Sequence, residues 1–157
     1  MVIAIKTIAL LENKPNINLY VCGTGYDRDV EMYTQMVEDL GLEERVHLLG
    51  KVPNVNTRAM MKEMDVFFFF TSIHDATSTV VPEAISAGLP VVCHNTRGYG
   101  VIVDDNIGRK IEVHNPERSA RDFADVIRKL EADREEGRRL SAGCVERQKA
   151  ISWEANA

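Results

Sequence analysis

Residues 66–70 read Val-Phe-Phe-Phe-Phe, a run without one polar side chain, and Val91, Val92 and Cys93 form a second such run. A strand with water on one face alternates polar and apolar residues, so an unbroken apolar run belongs to a strand covered on both faces. Both runs therefore predict central strands. Residues 75–90 lie between them and read Asp-Ala-Thr-Ser-Thr-Val-Val-Pro-Glu-Ala-Ile-Ser-Ala-Gly-Leu-Pro, the pattern of a polar loop, a helix and a return to the sheet. Thr77, Ser78 and Thr79 stand where that helix begins, with hydroxyls able to cap it and backbone N–H groups pointing outward. Such an end suits an anion. Asp75 and Glu83 frame it, with Glu83 expected about one and a half turns into the helix.

The rest of the chain repeats the alternation of strand and helix. Ala4, Ile5, Ile8 and Leu11 have helical spacing over the first dozen residues, and Pro15 and Asn16 end that helix. Residues 17–22 are expected as a strand running into Gly23-Thr24-Gly25, a tight turn before a helix from about Asp27 to Leu40, which Gly41 closes. Residues 45–49 read as a short strand ending at Gly50. Pro53-Asn54 opens a helix to Met64 that is expected to turn Val55, Ala59 and Met60 toward the core. Residues 97–103 read as a glycine-bounded loop with one helical turn, and residues 108–113 as a weaker last strand. From Pro116, Ala120, Phe123, Ala124, Ile127 and Leu130 fall on one helical face. A charged helix over residues 133–150 follows. The alternation implies an α/β class with a Rossmann-like parallel sheet and helices on both faces. In such sheets ligands bind beyond the carboxyl ends of the strands, where Gly23, Gly50, residues 71–78 and the loop from His94 all fall.

A length of 157 residues with 45% hydrophobic content suits one domain, residues 1–157, with a real core. The formal charge of −5 and pI near 5.4 supply no basic field for nucleic acid or an anionic membrane, so a bound phosphate must be held locally. No apolar run approaches the roughly 18–20 residues that span a bilayer, and the N-terminus lacks signal-peptide features, from which a cytoplasmic location is expected. Cys22, Cys93 and Cys144 form no CxxC or Cys/His spacing and are expected as buried or half-buried thiols, and no metal site is expected.

Taken together, these segments resemble the C-terminal, donor-binding domain of retaining glycosyltransferases of the GT-B fold, family 4 (glycosyl transferases group 1). The resemblance runs through Cys22-Gly23-Thr24-Gly25, Leu49-Gly50-Lys51-Val52, Asp65-Val66-Phe67, Thr71-Ser72, Pro82-Glu83-Ala84, Ala87-Gly88-Leu89-Pro90-Val91-Val92, Gly98, Gly108 and Ser152-Trp153. Glu-Ala followed by Ala-Gly-Leu-Pro-Val-Val is its most specific part. It implies a donor half of a two-domain enzyme that transfers a sugar, with retention, from a UDP- or GDP-sugar in polysaccharide, lipopolysaccharide or glycolipid synthesis. It implies no cofactor, and a full-length enzyme acting at the inner membrane surface. The family's acidic pair maps onto Asp75 and Glu83: Glu83 would accept from the ribose hydroxyls, while Asp75, with His74 beside it, would meet the donor sugar. Backbone N–H groups near Ser78 and Thr79 would hold the diphosphate, the main chain at Lys51 and Val52 would meet the base, and Gly23 and Gly25 would allow close approach.

Those roles are chemically coherent. A leaving nucleoside diphosphate gains negative charge as the glycosidic bond breaks, so fixed N–H donors stabilise the transition state more than the ground state. A ribose diol is matched by the two oxygens of a carboxylate. The chain departs from the family pattern in having an aspartate at position 75 and a serine at position 78, where glutamate and glycine are usual. It also opens inside the first helix, after the family's first strand and its phosphate-gripping arginine and lysine, and Lys6 is no replacement. The expected consequences are a sheet with edges open in its middle, a route to self-association, and a missing N-terminal acceptor domain. Alternatives are a GT-B sugar-nucleotide epimerase domain or a non-catalytic nucleotide-binding or assembly module. For single residues, Asp75 could instead cap the following helix, His74 could be a hydrogen-bonded loop residue, and Arg97 could form a surface salt bridge rather than reach a phosphate.

Overall fold

The computed structural model describes residues 1–69 and 79–151. Its elements alternate in chain order: α1 (Val2–Ala9), β1 (Leu19–Cys22), α2 (Asp27–Asp39), β2 (Val46–Gly50), α3 (Asn54–Glu63), β3 (Phe67–Phe69) and α4 (Val80–Ser86). They continue with β4 (Val91–His94), α5 (Arg97–Ile102), β5 (Gly108–Ile111), α6 (Pro116–Ala132) and α7 (Arg134–Ile151). β1 pairs with β2, β3 with β4 and β4 with β5, every pair parallel.

β4 shows why an apolar run behaves as it does. All four of its residues are buried. Successive side chains of a strand point to opposite faces. Val91 and Cys93 accordingly join Val81, Ala84 and Ile85 of α4 and Tyr99 of α5. Val92, out of phase by one, packs with Phe123 and Leu130 of α6 and Leu140 of α7. Full burial of Phe123 contributes roughly 1.5–3 kcal/mol. A third cluster joins Ile5 and Ile8 of α1, Val37 of α2 and Val46 of β2, with Leu19 and Leu48 packed against it.

Among the described residues, the apolar cover of the β1–β2 ladder lies on that face. On the other, Tyr20 and Leu49 are 44% and 41% exposed, and Tyr20 stacks on His47 with ring centroids 4.6 Å apart. Among the described residues no strand joins β1 to β3, so the parallel strands form two ladders, β1–β2 and β3–β4–β5.

Local chemistry sets the helix ends. The Asn115 side chain accepts from the Arg118 N–H at 2.9 Å and Pro116 occupies the first turn, so α6 starts there. Gly88 ends α4 with φ +75°, and the Leu89 N–H reaches back to the Ala84 carbonyl at 3.0 Å.

Several expectations need correction. In α3, Val55 is 73% exposed and Ala59 is exposed, whereas Met61 is buried. The inward stripe is Thr57, Met60, Met61 and Met64, which satisfies the i, i+3, i+4, i+7 spacing that the expected set did not. Cys22 is exposed rather than half-buried, because it lies on the open side of β1. α1 ends at Ala9, although Leu11 beyond it is still buried. β1 begins at Leu19, and β5 ends at Ile111, leaving Val113 50% exposed.

Two glycines of α7 predict opposite outcomes. A Cβ on Gly143 would lie 2.0 Å from the Asn106 carbonyl oxygen, so Gly143→Ala should cost about 1–3 kcal/mol in urea unfolding. A Cβ on Gly137 would meet nothing within 4 Å, so Gly137→Ala should stabilise the helix by roughly 0.5–1 kcal/mol in the same assay.

Candidate functional site

β1 and β2 end on turns that carry four of the expected site residues, Gly23, Gly25, Lys51 and Val52. Gly23 follows β1 with φ +129°, a conformation open to glycine and strained for other residues, and its N–H donates to the Gly50 carbonyl at 2.7 Å. Gly50 itself has φ +64° at the end of β2. The Cys22↔Gly50 pairing and this hydrogen bond hold the 23–25 turn beside the turn that presents exposed Lys51 and partly buried Val52. Gly25 leads to Tyr26, the N-cap of α2, whose backbone is extended at φ −67° and ψ 146°.

The second group follows β3. Thr79 is exposed at the N-cap of α4, and its side chain makes no capping hydrogen bond. Glu83 is the fourth residue of α4, in its first turn rather than one and a half turns in, since the helix starts only at Val80. Its N–H donates to the Thr79 carbonyl at 3.0 Å. The Glu83 carboxylate is partly buried and, among the described residues, no side chain bonds to it. Pro82, in the first turn of α4, contributes no N–H. Asp75, His74, Ser78 and Thr77 lie outside the described residues. The structure therefore brings Gly23, Gly25, Lys51 and Val52 together, and Thr79 with Glu83. No described hydrogen bond links the two groups.

Charge distinguishes these two helix starts. The first turn of α2 carries Asp27 and Asp29, which oppose an anion there. In the first turn of α4 the only acid is Glu83. α4 has seven residues, too few for a large macrodipole, so individual N–H donors would have to supply most of any stabilisation of a phosphate.

Sequence reasoning passed over two residues. Tyr26 is 75% exposed directly after the glycine turn, and the Arg28 guanidinium lies 5.7 Å from its ring centroid. An aromatic residue next to a GxG turn was the available signal. His94, at the carboxyl end of β4, is only 4% exposed. Its Nε2 lies 3.2 Å from Ser119 Oγ and its ring meets Phe123 edge to face at 4.9 Å. Ser119 Oγ is also 3.4 Å from both the N–H and the carbonyl of His114. Burial, and then the neighbouring His114, lower the His94 pKa. Nothing local in the sequence marks this network, which joins residues from β4 and α6.

Thiol chemistry is muted. Burial pushes Cys93 and Cys144 up to about 11, far from thiolate formation at neutral pH. Among the described residues no group of three His, Cys, Asp or Glu side chains could hold a metal ion, and no helix is long and apolar enough to cross a membrane. A shallow depression lined by Asn106, Arg139, Glu146 and Arg147 lies at the amino end of β5, opposite the strand ends described above. Its arginines are already engaged, Arg147 with Asp104 and Arg139 with Glu136.

Parallel strands whose carboxyl ends carry glycine turns, with helices packed on both faces of β4, define an α/β protein with a Rossmann-like arrangement. The chain belongs to the family described as glycosyl transferases group 1, whose model matches residues 2–144. It is 27% identical over 161 residues to D-inositol 3-phosphate glycosyltransferase of Corynebacterium glutamicum, covering 99% of this chain and 37% of the relative. The chain thus spans well under half of that relative's length. Among solved structures it resembles Anabaena HepE in complexes with UDP and with UDP-glucose, with a TM-score of 0.78 and 21% identity, over 93% of this chain and 40% of that one. It also resembles the C-terminal domain of a glycosyl transferase group 1 family protein, LpcC, from Francisella tularensis, at TM-score 0.77 and 18% identity, over 96% of this chain and 77% of that one.

The buried histidine predicts a pH dependence. His94 titrates below its ordinary value of 6.5 when folded, so between the two values the unfolded chain holds the proton and the folded chain does not. Stability should therefore fall as pH drops through 6.5 toward the lowered folded value. Urea unfolding at a series of pH values should show a shallower loss for His94→Gln over that interval.

Proposed function

We infer that this chain is the donor-binding, C-terminal domain of a retaining family 4 glycosyltransferase that moves a sugar from a nucleoside diphosphate sugar to an acceptor. The observation that carries the reading is Glu83: a partly buried carboxylate, unbonded by any described side chain, in the first turn of the helix that follows a central strand. A carboxylate so placed has two oxygens to offer a ribose diol. Support comes from family membership and from structural neighbours bound to UDP and UDP-glucose. The resemblance to an isolated C-terminal domain supports the assignment to the donor half.

In this reading Glu83 accepts from the ribose hydroxyls, and main-chain N–H groups around Ser78 and Thr79 hold the diphosphate. The main chain at Lys51 and Val52 borders the base, with Gly23 and Gly25 admitting the ligand closely. Asp75 and His74 meet the donor sugar. The donor is a UDP- or GDP-sugar, no metal takes part, and charge on the leaving diphosphate is balanced by N–H donors. The acceptor wall belongs to a second domain, and the whole enzyme serves polysaccharide, lipopolysaccharide or glycolipid synthesis on the cytoplasmic side.

Calorimetric titration of UDP, GDP and ADP into the chain tests this. Glu83→Ala should weaken the preferred nucleotide by about 1.5–3 kcal/mol, the usual worth of hydrogen bonds to a charged group. Thr79→Ala should change affinity little, because its contribution is assigned to the main chain. Equal affinity of the Glu83→Ala and unaltered chains would remove the ribose assignment.

A further inference from the structure

We propose that the Tyr26 ring is the stacking platform for the nucleotide base, backed on one side by the Arg28 guanidinium. The proposal rests on the nucleotide-binding reading above and adds a side-chain contact to it.

Four observations converge on Tyr26. It follows the Gly23-Thr24-Gly25 turn at the carboxyl end of β1, where ligands of parallel sheets are held. A large aromatic side chain that is 75% exposed gains nothing from the core, and Tyr26 belongs to none of the three apolar clusters. One face of its ring has a neighbour: the Arg28 guanidinium sits 5.7 Å from the ring centroid, and Arg28 is itself 3.5 Å from the Asp29 carboxylate. Finally, the Gly23 N–H to Gly50 carbonyl bond of 2.7 Å fixes the turn that carries Tyr26 beside the one that carries Lys51 and Val52.

Charge decides which part of the ligand lies here. Asp27 and Asp29 crowd the first turn of α2, so the diphosphate is disfavoured at this end. A neutral planar base is not. The ring presents a π face, and a cation against one side of an aromatic ring leaves the other side for stacking. Tyr26 thus marks the base end of the site, and the nucleotide runs from there through its ribose at Glu83 to its diphosphate near Thr79.

The test compares the unaltered chain with Tyr26→Ala, Tyr26→Phe and Glu83→Ala by calorimetric titration of UDP, UDP-glucose and inorganic pyrophosphate. Far-UV circular dichroism checks that the exposed substitutions leave the fold intact. Tyr26→Ala should weaken UDP and UDP-glucose alike by roughly tenfold, a typical worth of one base–aromatic stack. Tyr26→Phe should bind as the unaltered chain does, since the ring rather than the hydroxyl acts. Pyrophosphate, which has no base, should bind Tyr26→Ala and the unaltered chain equally. UDP affinity that depends on Glu83 but is unchanged in Tyr26→Ala would overturn the stacking role alone. No measurable nucleotide binding by the unaltered chain would overturn both this role and the nucleotide reading. An equal loss for pyrophosphate would also overturn it, because the substitution would then act on the phosphate end.

Discussion

The burial of β4 on both faces is the constraint on which the rest of the structure depends. Val91 and Cys93 pack against α4 and α5, and Val92 packs against α6 and α7. Each side chain is at or near zero exposure, so the strand is the common wall of two apolar layers. A strand in that position has its backbone paired on both edges, by β3 and β5, and can expose only its ends. Its carboxyl end, at His94, faces the same way as those of β3 and β5, because both pairings are parallel.

The opposite end of the sheet is devoted to holding α7. Ser141 Oγ donates to the Gly88 carbonyl at 2.7 Å, and the Cys144 thiol lies 3.6 Å from the Leu89 carbonyl and 3.5 Å from that of Ile107. Around this contact Arg109 pairs with Glu136 and Arg147 with Asp104. These pairs are partly exposed, so each adds about 1 kcal/mol or less, and the packing of Leu140 and Cys144 carries most of the attachment. The close fit at Gly143 belongs to the same contact. The packing that holds α7 is therefore separated from the carboxyl-end turns by the length of the strands, and those exposed turns need not support the core.

At the carboxyl ends of the strands, backbone geometry and charge divide the labour. Positive φ at Gly23 and Gly50 brings main chain to the surface without side chains in the way. The acids of the α2 first turn would disfavour a diphosphate near β1, whereas in the proposed reading Glu83 offers its carboxylate to neutral hydroxyls. In the proposed reading, a nucleotide would be oriented by repulsion as well as by attraction.

Much of the fold was legible in the sequence because its signals are local. The apolar run at residues 91–93 announced a doubly covered strand, and the spacing of Ala120, Phe123, Ala124 and Leu130 announced the buried face of α6. The family resemblance was legible too, through Glu83-Ala84 and the segment ending in Val91-Val92. The rotation of α3 was misjudged because Val55 stands at its exposed start, where apolar character alone does not say which way a side chain points. The surroundings of Tyr26 and the burial of His94 escaped notice for a different reason: they depend on what lies beside each residue, Arg28 and a neighbouring turn in one case, Ser119 and Phe123 in the other. The sequence by itself determined the order and class of the elements, since periodicity and glycine placement act over a few residues. Only the tertiary structure decided which face of β1–β2 is open, which turns are neighbours and which histidine is buried, because those depend on contacts between residues far apart in the chain.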